Sequence, residues 1–426
     1  MRRTDVVIIG GGQAGLAMSR CLSASGVDHV VLERGGVAER WRRERWDSLR
    51  LLTPNWMTRL PGFKYDGPDL DGFMTTTEVV AFFEQYARSF PAPIETDTAV
   101  NAVEASGDEL VVTATRGAWR TRNVILATGY SDRPLVPAVA RQLAGGVHQV
   151  VPRDYRNPAA LPDGGVLVVG ASATGIQLAD EIRASGRKVV LSTGQHLRVP
   201  RRYRGRDIMW WLDRAGILDA TPEAVFDLDA SRHAPSFQLV GRQDHATLDL
   251  ERLRRDGVTI AGRLTAIDGH RLRFDDDLVK TTVAADLKLA SLLARLDRFA
   301  RNTSLDAAVG GLEPFVPLWP AFMNAPAELD LNAAGIETVV WATGYRREYP
   351  WLKIPLLDER GELIHEGGVT PWPGVYALGL PFQRTRKSAF IDGVGADAIA
   401  LTAHIAARIG RQSDHHDSRH HPVLAL

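Results

Sequence analysis

Two short stretches of this 426-residue chain carry glycines at a spacing that does chemistry through the backbone. Gly10-x-Gly12-x-x-Gly15 and Gly170-x-Ser172-x-x-Gly175 each follow four apolar residues, Val6–Ile9 and Val166–Val169. In such a turn the first glycine permits a tight reversal. The second position lets backbone approach a pyrophosphate, and the third lets a helix pack close to the strand. The helix then aims free N–H groups and the positive end of its dipole at the phosphates. The elements that must position this turn are an apolar strand before it, a helix after it and a second strand. Both copies supply them: a helix from about Gln13 to Ala24 followed by "HVVLE", and a helix over Ile176–Ser185 followed by "KVVLST".

The copies differ where chemistry would distinguish two nucleotides. Glu33 closes the second strand of the first copy, 23 residues after Gly10, where a carboxylate accepts hydrogen bonds from ribose hydroxyls. The same count from Gly170 lands on Thr193. A carboxylate there would repel a 2′-phosphate, whereas a hydroxyl can hydrogen-bond to one. The first turn is therefore expected to take a dinucleotide with a free 2′-hydroxyl, and the second to prefer NADP over NAD. The next loop, "GQHLRVPRRYRGRD", carries Arg198, Arg201, Arg202, Arg204 and Arg206. Guanidinium forks suit phosphate, and Arg198 and Arg201 are the candidates for the 2′-phosphate. The alternative is a solvated basic loop, and the sequence does not decide which arginine would act.

A further pair of echoes follows. "VILATGYSDRP" (124–134) and "VVWATGYRREYP" (339–350) are apolar strands that each close on Ala-Thr-Gly-Tyr, a place where backbone can pass close to a flat cofactor. The segment 373–405 reads as strand, loop and helix, with Gly393 and Gly395 opening the helix.

Composition narrows the class. Hydrophobic residues make up 45% and charged residues 24%, an ordinary globular balance, and the formal net charge of +0 gives no reason to expect a nucleic-acid or anionic-membrane partner. No apolar run is long enough to span a bilayer. The first strand begins at once, leaving no room for a signal peptide, so a cytoplasmic location is expected. Cys21 is the single cysteine, which excludes an internal dithiol redox pair. The histidines show no ligand spacing, and no metal site is expected.

With GGGQAG, GASATGIQ, the two ATGY strands and "GVGADA" on the page, residues 4–408 resemble the single-component, NADPH-using flavin-containing monooxygenases. Within that group the chain is similar to bacterial relatives of YUCCA-type and amine- or sulfide-oxidising enzymes. The stretch "ERWRRERWDSLRLLTPNWMTRLPGF" (39–63) is similar to the family segment that lines the flavin. The resemblance implies FAD at the first turn and NADPH at the second. It also implies O2 and a small organic molecule as substrates, with a C4a-hydroperoxyflavin protected by bound NADP+. N- or S-oxygenation is the expected outcome. Baeyer–Villiger oxidation of a ketone is an alternative, as is a non-oxygenating or redox-sensing flavoprotein. The residues expected on the cofactors are Gly10, Gly12, Gln13, Ala14, Gly15, Glu33, Arg34, Trp41, Val100, Ala127, Thr128, Gly129, Gly170, Ser172, Ala173, Thr174, Gly175, Thr193, Arg198, Arg201, Thr343 and Gly344. Asn55 is the candidate catalytic residue beside the flavin, with a turn residue after Pro54 as the equal alternative. Trp41 and Trp46 could wall the flavin or serve the core. The family's linker signature, FxGxxxHxxxY/F, is degraded here: Tyr155 fits its last position, but Val151 stands in place of the histidine and His148 lies further upstream.

The expected fold class is α/β with two Rossmann-like dinucleotide-binding domains, the NADPH domain inserted into a discontinuous FAD domain. The FAD domain is placed at 1–160 and 336–410, the NADPH domain at 161–335, and a disordered tail at 411–426. Residues 281–300 have helical apolar spacing, and 310–326 form a loop rich in proline and aromatics. A homodimer is conceivable, but the sequence is silent on oligomeric state.

Overall fold

A computed structural model describes residues 1–417, with side chains through residue 410. Ten short strands build its two principal sheets. In chain order they are β1 (Val6–Ile9), β2 (His29–Leu32), β3 (Ile94–Glu95), β4 (Asn123–Leu126), β5 (His148–Val150), β6 (Gly165–Val169), β7 (Val189–Ser192), β8 (Thr259–Ala261), β9 (Ile336–Trp341) and β10 (Val375–Ala377). Four helices bear on function: α1 (Gln13–Ala24), α2 (Ala173–Ala184), α3 (Leu278–Asn302) and α4 (Val394–Asp417).

The first sheet runs β10-β4-β1-β2-β3 and the second β5-β9-β6-β7-β8, all neighbours parallel. Parallel sheets need both faces covered, and the central strands β1, β4, β6 and β7 are buried along their whole length. In the first sheet one face packs on α1, the helix Thr76–Arg88 and α4. The other face meets a sheet formed by Val100–Ser106, Glu109–Ala114 and Gly117–Thr121, antiparallel to one another, with Arg2–Arg3 added parallel at the edge. The second sheet is likewise packed on both sides.

Two boundaries differ from the sequence expectation. β5 and β9 lie in the second sheet, β9 directly beside β6, so residues 148–150 and 336–341 belong with the insert. The chain crosses between sheets on strands Arg133–Pro134 and Tyr345–Arg346, which pair antiparallel with each other. The second ATGY strand thus completes the insert before the chain returns. The tail also differs at its start, because α4 continues to Asp417; residues 418–426, with His420 and His421, lie outside the described residues. The helix expected over 281–300 is present as α3.

Candidate functional site

In each sheet the strand bearing the glycine turn is central, and the ATG strand lies beside it. A Cβ on Gly10 would stand 2.5 Å from the Ala127 carbonyl oxygen, and one on Gly170 would stand 2.4 Å from that of Ala342. A Cβ on Gly15 or Gly175 would fall 1.8 or 1.7 Å from the carbonyl oxygen of the first glycine of its own turn. Both first glycines have positive φ, 113° at Gly10 and 104° at Gly170. The first and last glycines are therefore fixed by backbone packing. Gly12 differs: its φ is −89°, and nothing lies within 4 Å of the Cβ it lacks. It faces open space, the room a pyrophosphate would take.

That space belongs to a cavity of about 440 Å³. Gly10, Gly12, Gln13, Ala14, Glu33, Arg34, Trp41, Val100, Ala127, Thr128 and Gly129 line it, so eleven of the expected residues come together here. Gly15 sits behind them in the strand–helix contact. No side chain caps α1, which leaves its first N–H groups free for an anion. Glu33 is 7% exposed, and its carboxylate accepts from the Gly11 N–H at 2.5 Å and the Gly35 N–H at 3.1 Å. Backbone donors hold it at the cavity wall, with lone pairs left for ribose hydroxyls.

Sequence reasoning missed several of the walls. Arg40, Arg45, Arg153 and Trp351 also line the cavity. Arg40 is ion-paired with Asp132, and Arg45 lies over the Trp41 ring at 5.4 Å. The run "ERWRRERW" was the available signal for the first two.

The second turn repeats the plan. Ser172 starts α2 without capping it through its own side chain, Ala173 and Gly175 are buried, and Thr174 is half-buried beside them. The Ala173 N–H donates to the Ser236 hydroxyl at 3.3 Å. Thr193, the counterpart of Glu33, is fully buried with its Oγ1 unpartnered. Thr343 and Gly344 serve the crossing: the Thr343 hydroxyl donates to the Leu135 carbonyl, and the Leu135 N–H donates to the Gly344 carbonyl at 2.9 Å.

The arginine expectation is overturned. Arg198 Nε donates to Asp286 Oδ1 at 2.7 Å, and its Nη2 donates to the Val316 carbonyl at 2.7 Å. Arg201 is 1% exposed, forks onto Asp207 and reaches the Leu52 carbonyl. Arg204, also buried, binds Asp297, Asp306 and the Gly310 carbonyl. These guanidiniums are already consumed by carboxylates. They pin the 305–319 segment and the start of the helix Ile208–Arg214, and the 310–326 stretch is held to α3 through Asp286. At the tip of β7 stands Arg263, about half exposed, whose Nη2 would lie 3.4 Å from a Cβ on Gly194 and whose Nε is loosely paired with Asp277 at 3.6 Å.

Asn55 is likewise committed. Its Nδ2 donates to the Asp69 carbonyl and its Oδ1 accepts from the Met74 N–H, both at 2.9 Å, so the buried amide is anchored at both ends within a loop, and it does not line the cavity. Trp46 is buried in the core of the second domain, while Trp41 keeps its place on the cavity. Tyr155 packs in that same core, and the neighbouring Arg156 donates to the Arg45 carbonyl at 2.9 Å, tying the degraded linker to the cavity wall.

A family model described as pyridine nucleotide-disulphide oxidoreductase matches residues 7–205. An uncharacterized CzcO-like oxidoreductase of Geobacillus kaustophilus is 31% identical over 397 residues, 92% of this chain and 96% of its own length. The chain belongs to the CzcO-like oxidoreductases. Similarity extends to an indole-3-pyruvate monooxygenase, YUCCA8, of Oryza sativa subsp. indica, 23% identical over 94% of this chain and 90% of that one. A solved flavin-containing monooxygenase from Stenotrophomonas maltophilia shares the fold, with a TM-score of 0.66 at 21% identity over 96% of this chain and all of that one. FAD and NADPH are the cofactors of this CzcO-like oxidoreductase. The residues present fit both: free helix N–H groups and the Glu33 carboxylate for a ribose at the first, and at the second a helix N-terminus held only by a 3.3 Å contact to Ser236 beside the orphaned Thr193 hydroxyl. No helix among the described residues is long and apolar enough to cross a membrane.

Proposed function

We propose that this CzcO-like protein is a monooxygenase that uses NADPH and O2 to oxygenate a small organic molecule, N- or S-oxygenation being favoured over Baeyer–Villiger chemistry. The observation that carries this reading is the pair of dinucleotide turns built on one plan with opposite strand tips, Glu33 and Thr193. The alternative suggested by the family description, disulfide reduction, lacks a thiol to work with. Cys21 is buried on α1, and burial pushes its thiol up to about 11, so it is neither paired nor a thiolate at neutral pH.

Bound FAD would supply oxygen activation with electrons from NADPH. The protein's part is orientation and exclusion of water. Glu33 would hold the ribose and α1 the pyrophosphate of the first dinucleotide, while Trp41 with Arg45 closes the wall. At the second, an NADPH phosphate would displace the Ser236 hydroxyl from the Ala173 N–H, Thr193 would meet the ribose 2′ substituent, and the half-exposed Arg263 would turn from its loose pairing with Asp277 toward the 2′-phosphate.

Stopped-flow spectroscopy tests the chemistry. After reduction by NADPH and mixing with O2, a band distinct from reduced and oxidised flavin should build up and persist while NADP+ stays bound. Immediate return to oxidised flavin with one H2O2 per NADPH would refute oxygenation. Arg263→Gln should lower NADPH affinity and spare NADH, the loss being ~1–3 kcal/mol for a charged hydrogen bond.

A further inference from the structure

Between Asp306 and Glu328 the only charged residue is Glu313, in a run rich in Pro, Phe, Leu, Val, Trp and Met. Such a composition belongs in a core, yet residues 311–317, Trp319, Pro320 and Met323 are all exposed. Leu312 is 67% exposed, Val316 63% and Met323 68%. The run is nevertheless held. Leu305–Ala308 at its start and Trp319–Phe322 near its end both pack on α3. Asp286 of α3 accepts from the Leu318 N–H at 2.9 Å, the Val316 carbonyl accepts from Arg198, and Glu313 accepts from the Arg204 N–H. Pro314, Pro317 and Pro320 fix φ along it. It is an apolar strap pinned by its backbone, with its side chains facing out.

The outer stripe of α3 borders this strap. Leu287, directly after Asp286, is 67% exposed. Lys288, Arg295, Arg298 and Arg301 are exposed on the same helix, at the spacing of one face. Among the described residues no carboxylate lies within ion-pair distance of these four, unlike the neighbouring Arg198, Arg201 and Arg204. The acids of the region are engaged elsewhere. Asp286 is taken by Arg198, Asp297 by Tyr203 and Arg204, and Asp306 by Arg204. The hairpin that carries Tyr203 adds Arg202 and Arg206, both exposed. The formal net charge of +0 conceals this local excess.

A contiguous exposed apolar patch marks an interaction surface, and the unpaired cations beside it say what it meets. We propose that the 311–323 strap and the outer stripe of α3 dock on an anionic lipid bilayer. Leu287, Leu312, Val316 and Met323 enter the headgroup boundary, Trp319 sits at headgroup level, and Lys288, Arg295, Arg298 and Arg301 meet the lipid phosphates. A second copy of the chain fits less well, because a two-fold contact through this face would bring two unbalanced cationic stripes together. A bilayer asks for no matching shape, only for apolar side chains flanked by positive charge. The proposal stands apart from the reaction: it concerns where the enzyme works and not what it oxidises.

The test titrates the full-length, FAD-loaded protein with vesicles of phosphatidylcholine alone and of phosphatidylcholine with about 30% phosphatidylglycerol, read by co-sedimentation. Each cation near an anionic surface strengthens binding roughly fivefold, so the acidic vesicles should bind at least about tenfold tighter. Salt at about 0.5 M should remove most of that preference. Arg295→Gln/Arg298→Gln should weaken binding to acidic vesicles by roughly 25-fold. Leu312→Ser/Val316→Ser should weaken it by roughly tenfold or more, with flavin content and NADPH oxidation unchanged. Equal binding of both vesicles by the wild-type protein, or binding of neither, would overturn the proposal and needs no variant to fold. Vesicle binding indifferent to the serine changes would overturn it in favour of charge attraction alone. Poly-glutamate bound as tightly as the acidic vesicles would overturn it in favour of an acidic protein partner. A dimer by light scattering that the serine changes dissolve and acidic vesicles do not disperse would overturn it in favour of a second copy.

Discussion

Arg201 separates two accounts of the basic loop after β7. If it read the 2′-phosphate, replacing it would weaken NADPH and leave the fold alone. Its surroundings require the reverse. It is 1% exposed, forks onto Asp207, donates to the Leu52 carbonyl at 2.8 Å and lies 4.8 Å from the Phe73 ring centroid. Arg201→Gln strands the Asp207 carboxylate, whose side chain is 9% exposed, without its cation. Removing one partner of a buried pair costs about 3–5 kcal/mol, because the other charge is left uncompensated. For a domain of this size each kcal/mol moves the midpoint by roughly 2–4 °C, so thermal unfolding should fall by roughly 6–20 °C.

The pair can be checked against itself. Asp207→Asn should destabilise on the same scale while keeping an acceptor for the Met209 N–H it caps at 2.8 Å. The double variant Arg201→Met/Asp207→Asn should lie closer to wild type than either single change, since neither leaves a buried charge behind. Circular dichroism melts of the FAD-loaded protein give the stability, and fluorescence titration gives NADPH and NADH affinities. The NADPH-to-NADH ratio should not move. A melt of Arg201→Gln within about 2 °C of wild type, together with collapse of that ratio, would refute the reasoning and return the arginine to the phosphate.

The remaining expectations are as follows. Gly12→Ala should fold normally and lose FAD affinity, because its Cβ enters open space; Gly10→Ala should compromise the fold, because its Cβ meets the Ala127 carbonyl at 2.5 Å. Measuring bound flavin and the melt separately distinguishes the two. Burial raises Asp397 from 3.8 to about 6, so between those values the folded state holds a proton that the unfolded chain lacks. Stability should therefore fall as pH rises from about 4 to about 6, and Asp397→Asn should flatten that window in pH-dependent melts. Cys21 should resist iodoacetamide at pH 8 in the folded protein and react after denaturation, which mass spectrometry reads directly.

The first cradle was legible because its parts are contiguous. A strand, a turn, a helix and a strand tip occupy residues 6–33, and local rules position all of them. What escaped were partners distant in sequence. A run of arginines shows its charge, but nothing near it names the acid it will meet. Arg198 finds Asp286 on α3, 88 residues away, and only the fold brings the two together. Asn55 reads as a polar group free for chemistry until the Asp69 carbonyl and the Met74 N–H close on both ends of its amide. The domain edges failed for a related reason. β5 is three residues long and carries no periodicity of its own; it exists because β9 offers it a parallel edge.

The repeated ATG closure has a physical origin that the turns alone do not reveal. In each sheet the strand that ends in Ala-Thr-Gly lies directly beside the strand that enters the glycine turn, in register to its last residue: Leu126 opposite Ile9, and Val169 opposite Trp341. One step further, the Ala127 or Ala342 carbonyl points at the first glycine and leaves no room for a Cβ there. The chain then needs a glycine of its own, because Gly129 at φ 75° and Gly344 at φ 94° turn away from the sheet. Both exits lead into the paired strands Arg133–Pro134 and Tyr345–Arg346, so the motif that closes each cradle also launches the crossing between the two domains. The glycine turn and the domain connection thus draw on the same few residues in each half. On the proposed reading, the freedom to distinguish one nucleotide from the other is left to the next strand over, at Glu33 and Thr193.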